Sequence, residues 1–114
     1  MNIHQSPFTQ DDALPWQTVA EGVQRKIMTY DDTVMLVKVK FDTNAVGAVH
    51  QHYHAQVTYI AAGSFEVEVD GTKKILHTGD VFYASPNKWH GVVCKEAGML
   101  IDVFSPYRED FIQL

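Results

Sequence analysis

His50-Gln51-His52-Tyr53-His54-Ala55-Gln56 is the stretch whose reading decides the fold. Four of the six histidines fall here and at the distant His90. Imidazole is the commonest biological ligand for divalent transition metals. An extended strand places residues i and i+2 on one face. His50 and His52 can therefore aim two ring nitrogens at one point, with Gln56 and His90 brought in by the fold. The segment is a metal-site candidate before it is anything else.

Working outward, Val37, Val39 and Phe41 alternate with Lys38 and Lys40, the two-residue period of a half-buried strand. Phe65, Val67 and Val69 alternate with Glu66 and Glu68 in the same way, and Asp70-Gly71 then supplies a hairpin turn before the returning strand Thr72 to Leu76. Further turn signals stand at Thr43-Asn44, Ala62-Gly63, Thr78-Gly79-Asp80, Ser85-Pro86-Asn87 and Glu96-Ala97-Gly98. Between them lie the apolar runs 57–61, 81–84, 91–94 and 99–104. The spacing predicts about eight short strands in an all-β sandwich or barrel. No long helical period is present, and the tail from Tyr107 has room for one helical turn. Residues 1–22 are expected to be an N-terminal arm, polar and broken by Pro7 and Pro15, with Trp16 packing on something. Residues 23–114 are expected to be the barrel with its C-terminal tail.

The bulk numbers narrow the function. A chain of 114 residues suits one domain. Its formal net charge of -5 and lack of a basic stripe argue against nucleic acid, although one buried arginine suffices to bind a small anion. Cys94 is the only cysteine, which excludes an internal disulfide and a Cys-rich zinc module. No apolar run approaches the roughly 20 residues that span a bilayer. The first residues lack the basic and apolar regions of a signal peptide, so no membrane partner and a cytoplasmic location are expected.

The motifs then reach a known family. Gly47, His50, His52, Gln56 and Gly63 resemble the first cupin motif. Gly79-Asp80, Pro86 and His90-Gly91 resemble the second. The resemblance implies a jelly-roll β-barrel in which His50, His52, Gln56 and His90 converge on one divalent metal. Two departures stand out: Ser85-Pro86 shifts the motif proline by one, and Gln56 stands where most cupins carry glutamate. Three imidazoles and a neutral amide leave the ion's charge uncompensated, which makes it a stronger Lewis acid. The ligand types suit Ni, Zn, Fe, Mn or Co alike.

Pro15-Trp16, Gly22-Val23, Arg25-Lys26, Met35, the His-x-His-x-His-x-Gln run and the tail Asp102-Val103-Phe104-Ser105-Pro106-x-Arg108-Glu109-Asp110-Phe111 look like the cupins of pectin and alginate breakdown often called KdgF. Ala55 and Tyr53 depart from that subgroup, where an acidic residue and a proline are common. The narrower resemblance implies an enzyme that opens the ring of 4,5-unsaturated monouronates, a small anionic sugar-acid substrate, and a homodimer. Asp102 shares a strand face with Leu100 and Phe104, so its carboxylate is costly unless it is paired or functional. It is either a structural partner of Arg108 or Arg25, or the general acid/base. Arg108 offers a planar fork suited to a uronate carboxylate, or forms an ion pair with Glu109 or Asp110. Phe104 and Tyr59 are the candidate aromatic contacts to substrate, with core or pocket wall as the plainer role for them and for Tyr30, Tyr83 and Trp89. His54 is expected in a turn, exposed or behind the metal ligands; His4 and His77 are expected at the surface. An Fe(II) dioxygenase and a sugar-binding module without chemistry are the rival functions.

Overall fold

The expected alternation builds one antiparallel system of eight strands. The computed structural model describes residues 6–112. Its strands are β1 (Gln17–Ala20), β2 (Val23–Tyr30), β3 (Met35–Phe41), β4 (Val46–His50), β5 (Ala55–Val69), β6 (Thr72–His77), β7 (Val81–Ala84) and β8 (His90–Ser105). The hairpin between β5 and β6 turns at Asp70 and Gly71, both at positive φ, as the Asp-Gly pair predicts.

Two long strands make the barrel. The first half of β5 pairs with β7 and with the second half of β8, which continues through β3 and β2 to β1. The second half of β5 pairs with β6 and with the first half of β8, which pairs on with β4. β5 and β8 thus belong to two facing layers and bend from one into the other. The turn signals expected at Gly63 and Gly98 bend these strands and do not end them. The two glycines allow the bend because the backbones touch there. A Cβ on Gly98 would overlap the Ala62 carbonyl, and one on Gly63, at φ +80°, would overlap the Glu96 carbonyl.

The layers close on Val23, Phe41, Ile60, Phe65, Val67, Phe82, Val92, Cys94 and Leu100, with Phe41 edge-on to Phe65 at 5.2 Å. Burying each large apolar side chain contributes about 1.5–3 kcal/mol. A second cluster, Met35, Val37 and Phe104, is roofed by Tyr107, Phe111 and Ile112. The tail after β8 therefore folds back over one barrel mouth, and the single turn it makes is Glu109–Phe111.

The stretch expected to be an arm is partly sheet. Gln17–Ala20 pair with β2, and all four residues are exposed, so their burial left no pattern to read. Upstream, buried Lys26 bonds the Asp11 carbonyl at 2.8 Å, and Lys26 and Lys40 lie on the Trp16 ring.

Candidate metal centre

The two layers meet where β4 ends and β5 and β8 begin. His50 and His90 are cross-strand partners there, His52 sits in the connection to β5, and Gln56 is the second residue of β5. One ring nitrogen from each of His50, His52 and His90 lies within 4.8 Å of the others. The Gln56 Oε1 is 3.1 Å from His52 Nε2 and 3.0 Å from His90 Nε2.

The hydrogen bonds around this group decide what it can hold. Each Nδ1 donates to a carbonyl two residues away: His50 to Ala48 at 2.9 Å, His52 to His54 at 3.0 Å and His90 to Lys88 at 2.9 Å. A carbonyl only accepts, so each Nδ1 carries the proton and each Nε2 keeps a lone pair. Burial, then the charge of Arg108, pushes the His52 pKa down to about 4, and burial lowers His90. The His52 and His90 rings are therefore neutral at pH 7. The Gln56 amide is fixed as well. Its NH2 donates to Thr58 Oγ1 at 2.8 Å and lies 3.4 Å from Asp102 Oδ1, which turns Oε1 toward the histidines. Four lone-pair atoms thus converge with no proton between them, an arrangement that repels itself until a cation sits at its centre. The donor set fits a divalent transition metal.

Beside the cluster, Thr58 and Asp102 are cross-strand partners. The Thr58 hydroxyl donates to Asp102 Oδ1 at 2.6 Å. Asp102 faces a cavity but is enclosed by protein otherwise, and this desolvation raises its pKa to about 6 against the opposing pull of Thr58 and Arg108. The cavity, about 200 Å³ and open at the mouth, is lined by His50, Gln56, Asp102, Phe104, Arg108 and Phe111, with Arg25 from β2. A cavity of ~150 Å³ accepts a benzene ring, so this one has room for one small cyclic molecule.

A cupin domain model matches residues 37–104. The chain belongs to the cupin family. It is 50% identical over 104 residues to the pectin degradation protein KdgF of Dickeya dadantii (strain 3937), covering 90% of this chain and 94% of that protein. The structure of KdgF from Halomonas sp. superposes with a TM-score of 0.91 at 43% identity, covering 95% of this chain and 100% of that one. An RmlC-like cupin from Shewanella frigidimarina NCIMB 400 gives 0.92 at 41% identity, covering 95% and 97%.

Within this cupin the expected residues separate. His50, His52, Gln56 and His90 come together, and Asp102, Phe104 and Arg108 line the same cavity. Tyr59 does not. Gln56, Thr58 and Ile60 take the inward face of β5, so the two-residue period puts Tyr59 outside, 42% exposed. Tyr83 and Trp89 are exposed too, while Tyr30 stacks on Tyr107. His77 is exposed, and His4 lies outside the described residues.

His54 is also not where an exposed turn would put it. It is buried, with Nε2 at 2.8 Å from Glu109 Oε1 and Nδ1 unpartnered among the described residues. Tyr53 stacks on its ring and donates to the other Glu109 oxygen. Its partner Glu109 comes from the returning tail, 55 residues away in sequence. His54, Glu109 and Asp110 are close enough to hold an ion. Both carboxylates already have donors, Glu109 in His54 and Tyr53 and Asp110 in Arg108. The group is a latch that fastens the tail to the connection between β4 and β5.

Thr58 lay outside every motif, and the motifs that contain His54 and Glu109 gave no sign that the two meet. Thr58 does have one legible signal, its place two residues after Gln56 on the same strand face.

Proposed function

We propose that this cupin opens the ring of cyclic 4,5-unsaturated monouronates from pectin or alginate, giving the linear keto form. The reading is supported by the likeness to pectin degradation proteins along nearly the whole chain. The observation that carries it is Asp102, a carboxyl with pKa about 6 that faces the same cavity as the four converging ligand atoms.

The chemistry needs one proton moved and no oxidant. In the substrate the ring oxygen joins C1 to C5, and C5 bears the carboxylate and the double bond to C4. Removing the proton of the anomeric hydroxyl forms the C1 carbonyl as the C1–O bond breaks. The ring oxygen leaves with that electron pair and becomes an enolate at C5. Protonation at C4 gives the ketone. Asp102 accepts the first proton and returns it, a task suited to a pKa near the working pH. The bond from Thr58 to Oδ1 holds the carboxyl group in place. Arg108 supplies positive charge beside the substrate anion, and Phe104 forms the apolar wall.

His50, His52, Gln56 and His90 would hold the metal, of the set Ni, Zn, Fe, Mn or Co, and a bound ion supplies Lewis acidity toward oxygen anions. A homodimer and a cytoplasmic location complete the proposal. The exposed outer face of β5 and β7, with Val57, Tyr59, Val81 and Tyr83, is the surface expected to meet the second copy, and the mass in solution tests it. The central test follows the ultraviolet absorbance of the conjugated double bond. Metal-loaded protein is expected to accelerate its loss, and no acceleration over buffer would refute the activity.

A further inference from the structure

Two arginines reach the cavity, and they are not equivalent. Arg108 is buried, and Asp110 closes its fork, with Nε at 3.0 Å and Nη2 at 2.8 Å from the two carboxylate oxygens. Phe104 and Phe111 lie 5.0 and 4.2 Å from its central carbon. A guanidinium recognises a carboxylate best through two parallel N–H donors, and the two-point edge formed by Nε and Nη2 is already taken.

Arg25 is the opposite case. It shares an inward direction with Val23 on β2 and lines the cavity with Asp102, Gln56 and His50. Its only side-chain hydrogen bond among the described residues is from Nε to Gln17 Oε1 at 3.3 Å. Its plane rests on Phe111 at 3.9 Å. No carboxylate of the described residues forms an ion pair with it. Burial and the neighbouring Arg108 charge both disfavour its ionised form, offset in part by Asp110. A half-buried cation beside a second cation is unfavourable without a counter-charge. Neither terminal nitrogen of Arg25 has a hydrogen-bond partner among the described residues, so both are left for an anion that enters the cavity.

We propose that Arg25 is the residue that grips the carboxylate of the substrate, with both terminal nitrogens, while Gln17 and Phe111 fix the direction of its fork. This rests on the uronate reading and sharpens it. Arg108 then serves as a charge held by Asp110 and as a brace for Phe111. The proposal also gives β1 a task, because Gln17 is its first residue.

The test pairs kinetics with a binding contrast that needs no turnover. Arg25→Gln is expected to raise KM for the unsaturated uronate at least tenfold with kcat within threefold. Arg25→Lys, which keeps the charge but loses the fork, is expected to recover part of the loss. In calorimetry, D-galacturonate is expected to bind the wild type at least tenfold more tightly than the neutral sugar D-galactose. Arg25→Gln should remove that difference and leave galactose unchanged. The proposal is overturned if Arg25→Gln leaves galacturonate affinity within twofold, if galactose binding falls equally, or if the folded wild type does not prefer galacturonate. Should Arg25→Gln prove misfolded by circular dichroism, Arg25→Lys decides alone by the same contrast. Failure of ring opening with the contrast intact would sink the proposed reaction and leave the role of Arg25 standing.

Discussion

Replacing Thr58 with valine isolates how Asp102 is tuned. The side chains are nearly the same shape, and Thr58 is fully buried, so the change removes one hydroxyl and little else. That hydroxyl donates to Asp102 Oδ1 at 2.6 Å. A hydrogen bond to a charged group contributes about 1.5–3 kcal/mol, and one pKa unit corresponds to about 1.36 kcal/mol. Losing the donor disfavours the carboxylate, so its pKa, now about 6, should rise by roughly one to two units. The ionised share at pH 7 then falls from roughly nine-tenths to between one-half and one-tenth. If the ionised form takes the anomeric proton, kcat/KM at pH 7 drops about two- to tenfold and recovers near pH 9. The assay is the ultraviolet pH–rate profile, with metal content measured in parallel because Gln56 loses its Thr58 partner. A folded, metal-loaded Thr58→Val protein with an unshifted profile would refute the reasoning. A loss that persists at pH 9 would assign Thr58 to geometry alone.

Asp102→Asn should abolish ring opening to within a hundredfold of background while leaving bound metal near one per chain, read by turnover and elemental analysis. Stripping the metal with a chelator should lower the melting temperature, and an ion restored at a hundred times its Kd should raise it by about 10 °C, since such binding adds about 2.7 kcal/mol. Acid stability of the metal-free chain carries opposed contributions. His52, lowered to about 4 when folded, loses stability as pH falls from 6.5 toward 4, because the unfolded state binds the proton first. Asp102, raised to about 6, gains stability between 6 and 3.8, so Asp102→Asn should make the metal-free protein's stability fall more steeply across this window in urea melts. Glu109→Ala should speed amide hydrogen exchange from Tyr107 to Ile112 without changing metal content, because it unfastens His54 and Tyr53 from the tail.

The four converging side chains were legible because each lies within a short motif. His50, His52 and Gln56 are close in sequence, and His90 follows a Gly-Asp turn at family spacing. Asp102 was legible as a carboxylate on an apolar strand face. What could not be read depends on contacts distant in sequence. His54 is covered by the Tyr53 ring and bonded by Glu109 of the returning tail, and Arg108 is held by Asp110 where the turn at Glu109–Phe111 forms. β1 was hidden because an edge strand with no buried residue has no alternation to show. Tyr59 is different: its outward direction follows from Gln56 by simple parity and was available without the fold. The strand-ending turns expected at Gly63 and Gly98 became bends because the two glycines face each other, a relation no local window contains.

The carbonyl partners of the three converging imidazoles have a consequence for how the centre could change. Each ring is anchored at Nδ1 by a carbonyl two residues away in its own strand or turn. The rings are aimed independently, so replacing one leaves the others pointing at the same spot. Successive substitutions could therefore exchange one metal preference for another through intermediates that still bind. The barrel would act as a mount on which individual ligands are interchangeable parts.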